Sequence, residues 1–207
     1  MTSMDALMRS SPVIPVLTVH DALIARPLAE ALVAGGLRTL EVTLRTPAAL
    51  DAIRQMSRVD GAIVGAGTVL NGRDLDACVR SGARFVVSPG LTETLARQAL
   101  ARGIPFLPGV ATASDIIRGL ELGFDRFKFF PAEAAGGVNA LKALAAPFSQ
   151  CRFCPTGGIT QASAATWLGL EAVLCVGGSW LVPERFDADE VFERAKAAAA
   201  LRAQHCA

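Results

Sequence analysis

Lysine is scarce in this 207-residue sequence: only Lys128, Lys142 and Lys196 stand among its 20 lysine and arginine residues. The chain therefore seldom uses lysine as a general surface cation. Lys142 and Lys196 fall in helical, polar-patterned stretches, where we expect solvated side chains. Lys128 lies instead in the apolar run Arg126-Phe127-Lys128-Phe129-Phe130-Pro131. This position singles Lys128 out as a candidate functional residue.

The sequence also lacks a strong net charge and a long apolar run. A net charge of +1 gives no electrostatic reason to expect nucleic acid or a membrane surface as a partner. The longest charge-free stretch, residues 153–170, contains Pro, Thr, Gly, Gln and Ser and is not a membrane span. Asp5 and Arg9 interrupt the N-terminal segment, which has no apolar core of signal-peptide length. We therefore predict a cytoplasmic protein.

A second cysteine pair, which a structural zinc site would need, is missing as well. The five cysteines are Cys78, Cys151, Cys154, Cys175 and Cys206, so that Cys151-x-x-Cys154 is the one close pair. On a strand these two side chains point to opposite faces, and His205 lies at the C-terminus. A metal or redox site is the less favoured alternative. We predict no metal, and reduced cysteines in the core.

Strand-like runs recur along the chain with a spacing of 20 to 26 residues, and a helical pattern fills each gap. The runs begin near Val13, Thr39, Ala62, Phe85, Pro105, Arg126, Arg152 and Val173. The helical patterns include 21–34, 47–58, 71–81, 92–102 and 112–122, with an extra N-terminal helix at about 2–9 and a last helix at about 187–203. Eight apolar strand–helix units predict a parallel sheet covered by helices.

These eight units fit a closed (β/α)8 barrel of the TIM type, formed by one domain over residues 1–207. An open doubly wound sheet is the alternative. It is disfavoured because no Gly-x-Gly-x-x-Gly opens a helix; Gly65-Ala66-Gly67 is followed by Val69 and Leu70.

The alternation of a strand places Lys128 and Phe130 on one face, and Phe127 and Phe129 on the other. Among phenyl rings, desolvation favours a neutral amine over an ammonium. A neutral amine in a pocket is a nucleophile that forms a Schiff base with a carbonyl carbon. The alternative is a lysine at the strand end whose side chain extends to water.

The second strand, residues 39–45, alternates so that Glu41 and Arg45 point away from the helices. A carboxylate and a guanidinium inside a barrel are hard to justify as packing. Glu41 is a candidate general acid and base. Arg45 suits a substrate carboxylate, and its charge favours a neutral Lys128 amine. A structural Glu41–Arg45 ion pair is the alternative.

Two glycine pairs follow the seventh and eighth strands, Thr156-Gly157-Gly158-Ile159 and Gly177-Gly178-Ser179-Trp180. In barrels of this type, these loops and a short helix after them form a recurrent phosphate site. Glycine lets backbone amides approach the anion, and Ser179 adds a hydroxyl. Thr68 and Pro89 end the third and fourth strands and are expected at the same mouth. His20 follows the first strand and is a further candidate for the mouth, although a lone histidine is more often structural or solvated.

Several motifs carry a resemblance to a known family. They are Glu-Val-Thr-Leu-Arg-Thr at 41–46, Gly-Ala-Gly-Thr-Val at 65–69, Ser-Pro-Gly at 88–90, Phe-Lys-Phe-Phe-Pro-Ala-Glu at 127–133, Cys-Pro-Thr-Gly-Gly-Ile at 154–159 and Gly-Gly-Ser-Trp at 177–180. They lie in this order between residues 41 and 180, and the resemblance covers the chain from about Pro12 to Pro183. The chain resembles the bacterial 2-keto-3-deoxy-6-phosphogluconate aldolases, also called 4-hydroxy-2-oxoglutarate aldolases, of class I.

The resemblance implies a role for each matching position. Lys128 would form the Schiff base and Glu41 would move protons, in a pocket that includes Pro89 and Phe130. The groups that would bind substrate are Arg45 and Thr68 for the pyruvate carboxylate, Thr156 for the sugar hydroxyls, and Gly157, Gly158, Gly177, Gly178 and Ser179 for the phosphate.

The resemblance also implies a homotrimer without a metal or other cofactor. The reaction would cleave 2-keto-3-deoxy-6-phosphogluconate to pyruvate and D-glyceraldehyde 3-phosphate. An aldolase of the same mechanism for the galactonate epimer or for 4-hydroxy-2-oxoglutarate is the first alternative. A phosphate-binding barrel epimerase or decarboxylase is a weaker one, because it would want metal ligands or paired acid and base groups elsewhere, and the chain has two His. A non-catalytic sugar-phosphate binder would leave the buried lysine unexplained.

Overall fold

Parallel strands form the frame of the molecule in residues 3–201, the part of the chain that the computed structural model describes. The strands are β1 Val13–Leu17, β2 Thr39–Thr43, β3 Ile63–Gly67, β4 Val86–Val87, β5 Phe106–Leu107, β6 Gly109–Val110, β7 Arg126–Phe129, β8 Arg152–Pro155 and β9 Val176–Gly178. They occupy the eight strand positions that the sequence predicts. The fifth position is divided into β5 and β6 at Pro108, which has no N–H to donate to a neighbouring strand.

The strands close on themselves. Six pair in the order β5-β4-β3-β2-β1-β9 and three in the order β6-β7-β8, and every pairing is parallel. Single bridges from Phe153 to Val173 and from Thr156 to Gly177 join β8 to β9. The predicted (β/α)8 barrel is therefore confirmed, and the open doubly wound sheet is wrong.

The last strand starts later than its sequence predicts. Its regular part is Val176–Gly178, and Val173 contributes only a bridge. Between the two bridges the chain advances three residues on the β8 side and four on the β9 side. This extra residue is a β-bulge, which interrupts regular pairing at the edge of the site.

Helices fill the gaps between the strands. They are α1 Met4–Arg9, α2 Ala25–Ala34, α3 Ala49–Met56, α4 Gly72–Arg80, α5 Glu93–Ala101, α6 Ala113–Glu121, α7 Gly137–Ala145, α8 Gln161–Leu168 and α9 Ala188–Ala199, with a 3-10 turn at Ala22–Ile24 before α2. Asn71, Thr92, Thr112 and Asp187, predicted as first helical residues, are N-caps whose side chains accept a backbone N–H. The predicted ends at residues 2 and 203 lie outside the described residues.

Buried apolar side chains form two separate groups. The larger lies between the strands and the helices, and includes Phe127, Phe129 and Trp167. The smaller brings Leu7 and Met8 of α1 together with strand residues that point into the barrel, such as Ile14 and Val87. Helix α1 thus closes the amino-terminal end of the barrel, which leaves the carboxyl ends of the strands as the place for a site. In this described region, no helix has the length and apolar character needed to cross a membrane.

Candidate active site

Lys128 and Glu41 form a buried pair. Lys128 Nζ donates to Glu41 Oε1 at 3.0 Å, and the two residues are 6% and 3% exposed. The Lys128 ammonium also lies 5.5 Å from the centroid of the Phe130 ring, while Phe127 and Phe129 on the other strand face pack toward the helices. The lysine therefore does not extend to water. Its two neighbours inside the barrel are a proton acceptor and an aromatic ring.

The strands that carry this pair lie on opposite sides of the barrel. Going around the wall, β2 holds the second of eight positions and β7 holds the sixth. A hydrogen bond between their side chains requires that both reach the barrel axis. Glu41 and Lys128 thus meet at the centre, where water is largely excluded and electrostatic interactions are strong.

Gly67 makes room for the Glu41 carboxylate. The sequence pattern did not predict this role for Gly67. Gly67 pairs with Thr43 on the adjacent strand, and a Cβ built on it would overlap the Glu41 side chain. A glycine inside a strand is a known signal of close approach by another group. That signal was present in the sequence, but it does not name the approaching residue.

Arg45 and Thr68 lie just beyond the carboxyl ends of β2 and β3. Arg45 is exposed, and within residues 3–201 it has no ion-pair partner, because Glu41 is paired with Lys128 instead. Thr68 has a φ of 60°, which is unique among the described residues other than glycine. Such a left-handed conformation costs about 1–3 kcal/mol and is found most often at functional sites.

The two glycine pairs come together at one point of the rim. Thr156 is buried and bridges to Gly177, where a Cβ would overlap the Thr156 hydroxyl. Gly157 and Gly158 have φ of +104° and +79°, which only glycine adopts readily. Gly158 is exposed and Gly157 half-buried, whereas Gly177 and Gly178 are buried, so the accessible backbone where the two loops meet is that of the 157–158 pair.

Ser179 is exposed at this rim, and the Trp180 ring covers Gly178. The chain forms a turn after Ser179, and the next helix begins only at Ala188. The short helix expected after the eighth strand is therefore absent from this described segment.

Pro89 and Phe130 are both half-buried at the carboxyl ends of their strands. The Pro89 carbonyl lies against Cα of Gly109, so β4 and β6 approach closely there. Phe130 lies beside the Lys128 amine. His20 is exposed after β1 and contacts none of these groups in the hydrogen bonds and ion pairs of the described residues.

The cysteines are free and buried at positions 78, 151, 154 and 175, and Cys206 lies outside the described residues. Burial raises the pKa of Cys78 to about 12. Burial, together with a hydrogen bond to Cys154, also raises the pKa of Cys175 far above its ordinary value. Residues 3–201 contain no group of three His, Cys, Asp or Glu side chains that could hold a metal ion.

The chain matches known proteins over nearly its whole length. Residues 4–197 match the family model for KDPG and KHG aldolase. The 2-dehydro-3-deoxy-phosphogluconate aldolase of Zymomonas mobilis is 55% identical over 203 residues, which cover 98% of both chains.

Two solved structures are similar in fold as well. The 2-keto-3-deoxy-6-phosphogluconate aldolase of Zymomonas mobilis ZM4 with 3-phosphoglycerate has a TM-score of 0.95 at 55% identity, covering 98% of this chain and 97% of that one. KDPG aldolase from Legionella pneumophila, with pyruvate captured as a covalent carbinolamine intermediate, has a TM-score of 0.91 at 44% identity, covering 95% of this chain and 98% of that one.

The barrel and its family match define an aldolase, an enzyme of the lyase class. Among the aldolases, the chain belongs to the KDPG and KHG aldolase family.

Proposed function

We propose that the chain cleaves 2-keto-3-deoxy-6-phosphogluconate to pyruvate and D-glyceraldehyde 3-phosphate through a Schiff base on Lys128. The observation that carries this proposal is the buried Lys128–Glu41 pair at 3.0 Å, beside two glycine loops at the carboxyl ends of the strands. The Zymomonas mobilis relative bears the name of this activity. The family model over residues 4–197 also supports a single domain over 1–207.

The first step is attack by the Lys128 amine on the C2 ketone. Transfer of the Lys128 proton to Glu41 along their hydrogen bond leaves a neutral amine and a neutral acid, so no net charge is created in the barrel. The amine adds to C2 to give a carbinolamine. Loss of water from the carbinolamine, with Glu41 supplying the proton, gives the protonated imine.

The protonated imine then accepts the electrons of the C3–C4 bond. Glu41, as carboxylate, removes the proton of the C4 hydroxyl, either directly or through a water. The C3–C4 bond breaks, C4 leaves as the aldehyde carbon of glyceraldehyde 3-phosphate, and C3 becomes part of an enamine. Glu41 returns the proton to C3, and water hydrolyses the imine to free pyruvate and regenerate Lys128.

The rim groups hold the parts of the substrate that do not react. In this proposal Arg45 and Thr68 bind the pyruvate carboxylate, and Thr156 contacts the sugar hydroxyls. The phosphate is bound by Gly157, Gly158, Gly177, Gly178 and Ser179. Phosphate binding fixes the reacting carbons against Lys128 and Glu41, so part of the rate comes from positioning. We also propose the homotrimer implied by the resemblance, which sedimentation of the purified chain tests.

Borohydride trapping tests the Schiff base. We expect pyruvate plus borohydride to add one adduct per chain, which peptide mass mapping places on Lys128. Lys128→Ala should abolish the adduct and lower activity by many orders of magnitude, because the covalent route is gone. Lys142→Ala is the matched control, since Lys142 is exposed on α7. An adduct on Lys142 or Lys196, or none, would contradict the assignment.

Cleavage of 4-hydroxy-2-oxoglutarate is a second candidate activity. The Lys128–Glu41 pair is formed without any residue of the glycine loops, so the bond-breaking groups do not require a phosphate. The ratio of kcat/KM for the two substrates decides which is preferred.

The alternative of a barrel epimerase is tested by exhaustive chelation. We expect turnover to be unchanged, because the imine acts as the electron sink. Activity that is lost with the chelator and recovered with a divalent ion would favour the epimerase.

A further inference from the structure

The Glu133 carboxylate is held in place by a hydrogen bond from a buried tryptophan. Trp167 of α8 is fully buried, and its Nε1 donates to Glu133 Oε1 at 2.9 Å. An unpaired buried N–H is costly, so this bond fixes the carboxylate on Trp167. The second oxygen, Oε2, lies 3.5 Å from the place of a Cβ built on Gly137, the first residue of α7. Glu133 therefore links the segment after β7 to two helices.

The same residue supports the loop after β8. The Glu133 N–H donates to the Gly157 carbonyl at 3.1 Å, and the preceding N–H, of Ala132, donates to the Thr156 carbonyl at 2.8 Å. A Cβ built on Gly158 would lie 2.8 Å from Cβ of Glu133 and 2.7 Å from its Cγ. The side chain of Glu133 thus packs directly on the Gly158 backbone.

This support matters because Gly157 and Gly158 have no side chains of their own to fix them. Gly157 and Gly158 are both in the left-handed region, and glycine loses the most conformational freedom when it is ordered. The backbone amides can bind an anion tightly only if they are already ordered. The contacts of Glu133 and Trp167 provide that order.

We propose that Glu133, anchored by Trp167, is a positioning residue that holds the 156–158 loop ready for the substrate phosphate. This inference rests on the proposed function, since it takes that loop as the phosphate site. The role is mechanical, not electrostatic: a carboxylate near an anion site would repel the anion, and what Glu133 supplies is a hydrogen-bond acceptor and packing volume.

The roles of acceptor and charge can be separated by substitution. Glu133→Gln keeps the volume and an oxygen acceptor for Trp167 but removes the charge. Glu133→Ala removes the side chain that packs on Gly158. Trp167→Phe removes only the N–H that donates to Glu133. Glu171→Ala is the matched control, because Glu171 is exposed in the connection between α8 and β9 at the far end of the barrel.

The readouts are steady-state kinetics on 2-keto-3-deoxy-6-phosphogluconate and on 4-hydroxy-2-oxoglutarate, and titration of each protein with inorganic phosphate. We expect Glu133→Ala to raise KM for the phosphorylated substrate and the dissociation constant for phosphate about tenfold, with kcat/KM on the unphosphorylated substrate within about twofold. Trp167→Phe should show a smaller rise of the same kind. Glu133→Gln should bind phosphate at least as tightly as the unsubstituted chain, because it keeps the acceptor and loses the repelling charge. Glu171→Ala should match the unsubstituted chain.

Three results would overturn the inference: equal losses on both substrates, unchanged phosphate affinity in Glu133→Ala, or a Glu133→Gln protein as impaired as Glu133→Ala. If Glu133→Ala does not fold, Trp167→Phe and Glu133→Gln decide the question by the same comparison. Failure of the proposed function gives a different result, because the unsubstituted chain would then neither cleave substrate nor be trapped with pyruvate. The phosphate titration needs no turnover, so in that case it still tests whether Glu133 positions the 156–158 loop.

Discussion

Gly67 and Glu41 face each other across adjacent strands so closely that the glycine hydrogen occupies the only space left by the carboxylate. A Cβ at position 67 would overlap Oε1, Cδ and Cγ of Glu41. The backbone of β3 at Gly67 therefore holds the carboxylate toward Lys128. The geometry of the pair depends on a residue that takes no part in the chemistry.

Gly67→Ala should move Glu41 without unfolding the barrel. The overlapping atoms belong to the end of a flexible side chain, which can rotate away from Lys128. We expect kcat/KM to fall by about 10²-fold, the cost of a displacement of about 1 Å at a reacting group. Overpacking should lower the unfolding free energy by about 1–3 kcal/mol. Gly90→Ala is the control, because a Cβ there meets nothing within 4 Å.

Glu41→Gln should separate Schiff-base formation from the later proton transfers. The amide keeps the shape and the hydrogen bond but cannot act as a base. Turnover should therefore fall by about 10²–10⁴-fold, measured as kcat. Borohydride trapping with pyruvate should survive at least in part, since Lys128 is intact. Full activity in this variant would reduce Glu41 to a structural partner of Lys128.

Ser179→Ala should affect only the phosphorylated substrate. Ser179 is exposed at the rim and takes no part in the Lys128–Glu41 hydrogen bond. Removal of one hydrogen bond to a charged phosphate should raise KM about tenfold. Turnover of 4-hydroxy-2-oxoglutarate should hardly change in the same assay. Equal effects on both substrates would mean that the phosphate binds elsewhere.

Asp5 and Arg126 join α1 to the strand that carries Lys128, with 2.6 Å between Oδ1 and Nε. Partial burial alone raises the pKa of Asp5. The hydrogen bonds and charges of Arg9 and Arg126 outweigh burial and bring the net pKa below its ordinary 3.8. A lowered folded-state pKa means that the stabilisation is fully present above the unfolded-state pKa and is lost as pH falls through the folded-state pKa.

Asp5→Asn should therefore destabilise the barrel at pH 7 but not in acid. Because the pair is partly exposed, we expect a loss of at most about 1 kcal/mol in unfolding free energy. Denaturant titrations should show the difference shrinking as the pH falls below 3.8. Asp60→Asn is the control, because Asp60 is exposed and makes no ion pair among the described residues. A difference that is constant with pH would rule out the charge as its cause.

The barrel could be predicted because each strand–helix unit is indicated by residues within that unit. Apolar runs mark the strands, and residues such as Asn71 and Thr112 mark helix starts with their own side chains. The break at Pro108 and the bulge before Gly177 were not predicted. Both depend on how a strand pairs with its neighbours, which local patterns do not contain.

The candidate site shows the same division. Lys128 and Glu41 stood out because charged groups in apolar strands are costly wherever they lie. The partner of Glu41 could not be derived from the pattern of either strand, since the two strands meet only when the barrel closes. For the same reason the sequence favoured no bond between Trp167 and Glu133, which come from different units.

The scarcity of lysine has a practical consequence for anyone who attaches this protein to a surface or a dye. Besides the buried Lys128, the side-chain amines are those of Lys142 on α7 and Lys196 on α9, and both are exposed. Lys142 neighbours the start of β8, and the Lys196 backbone packs on Gly35 at the end of α2. Both anchoring points are therefore at the end of the barrel opposite its mouth, so that coupling through these two lysines would immobilise the molecule with the mouth facing outward.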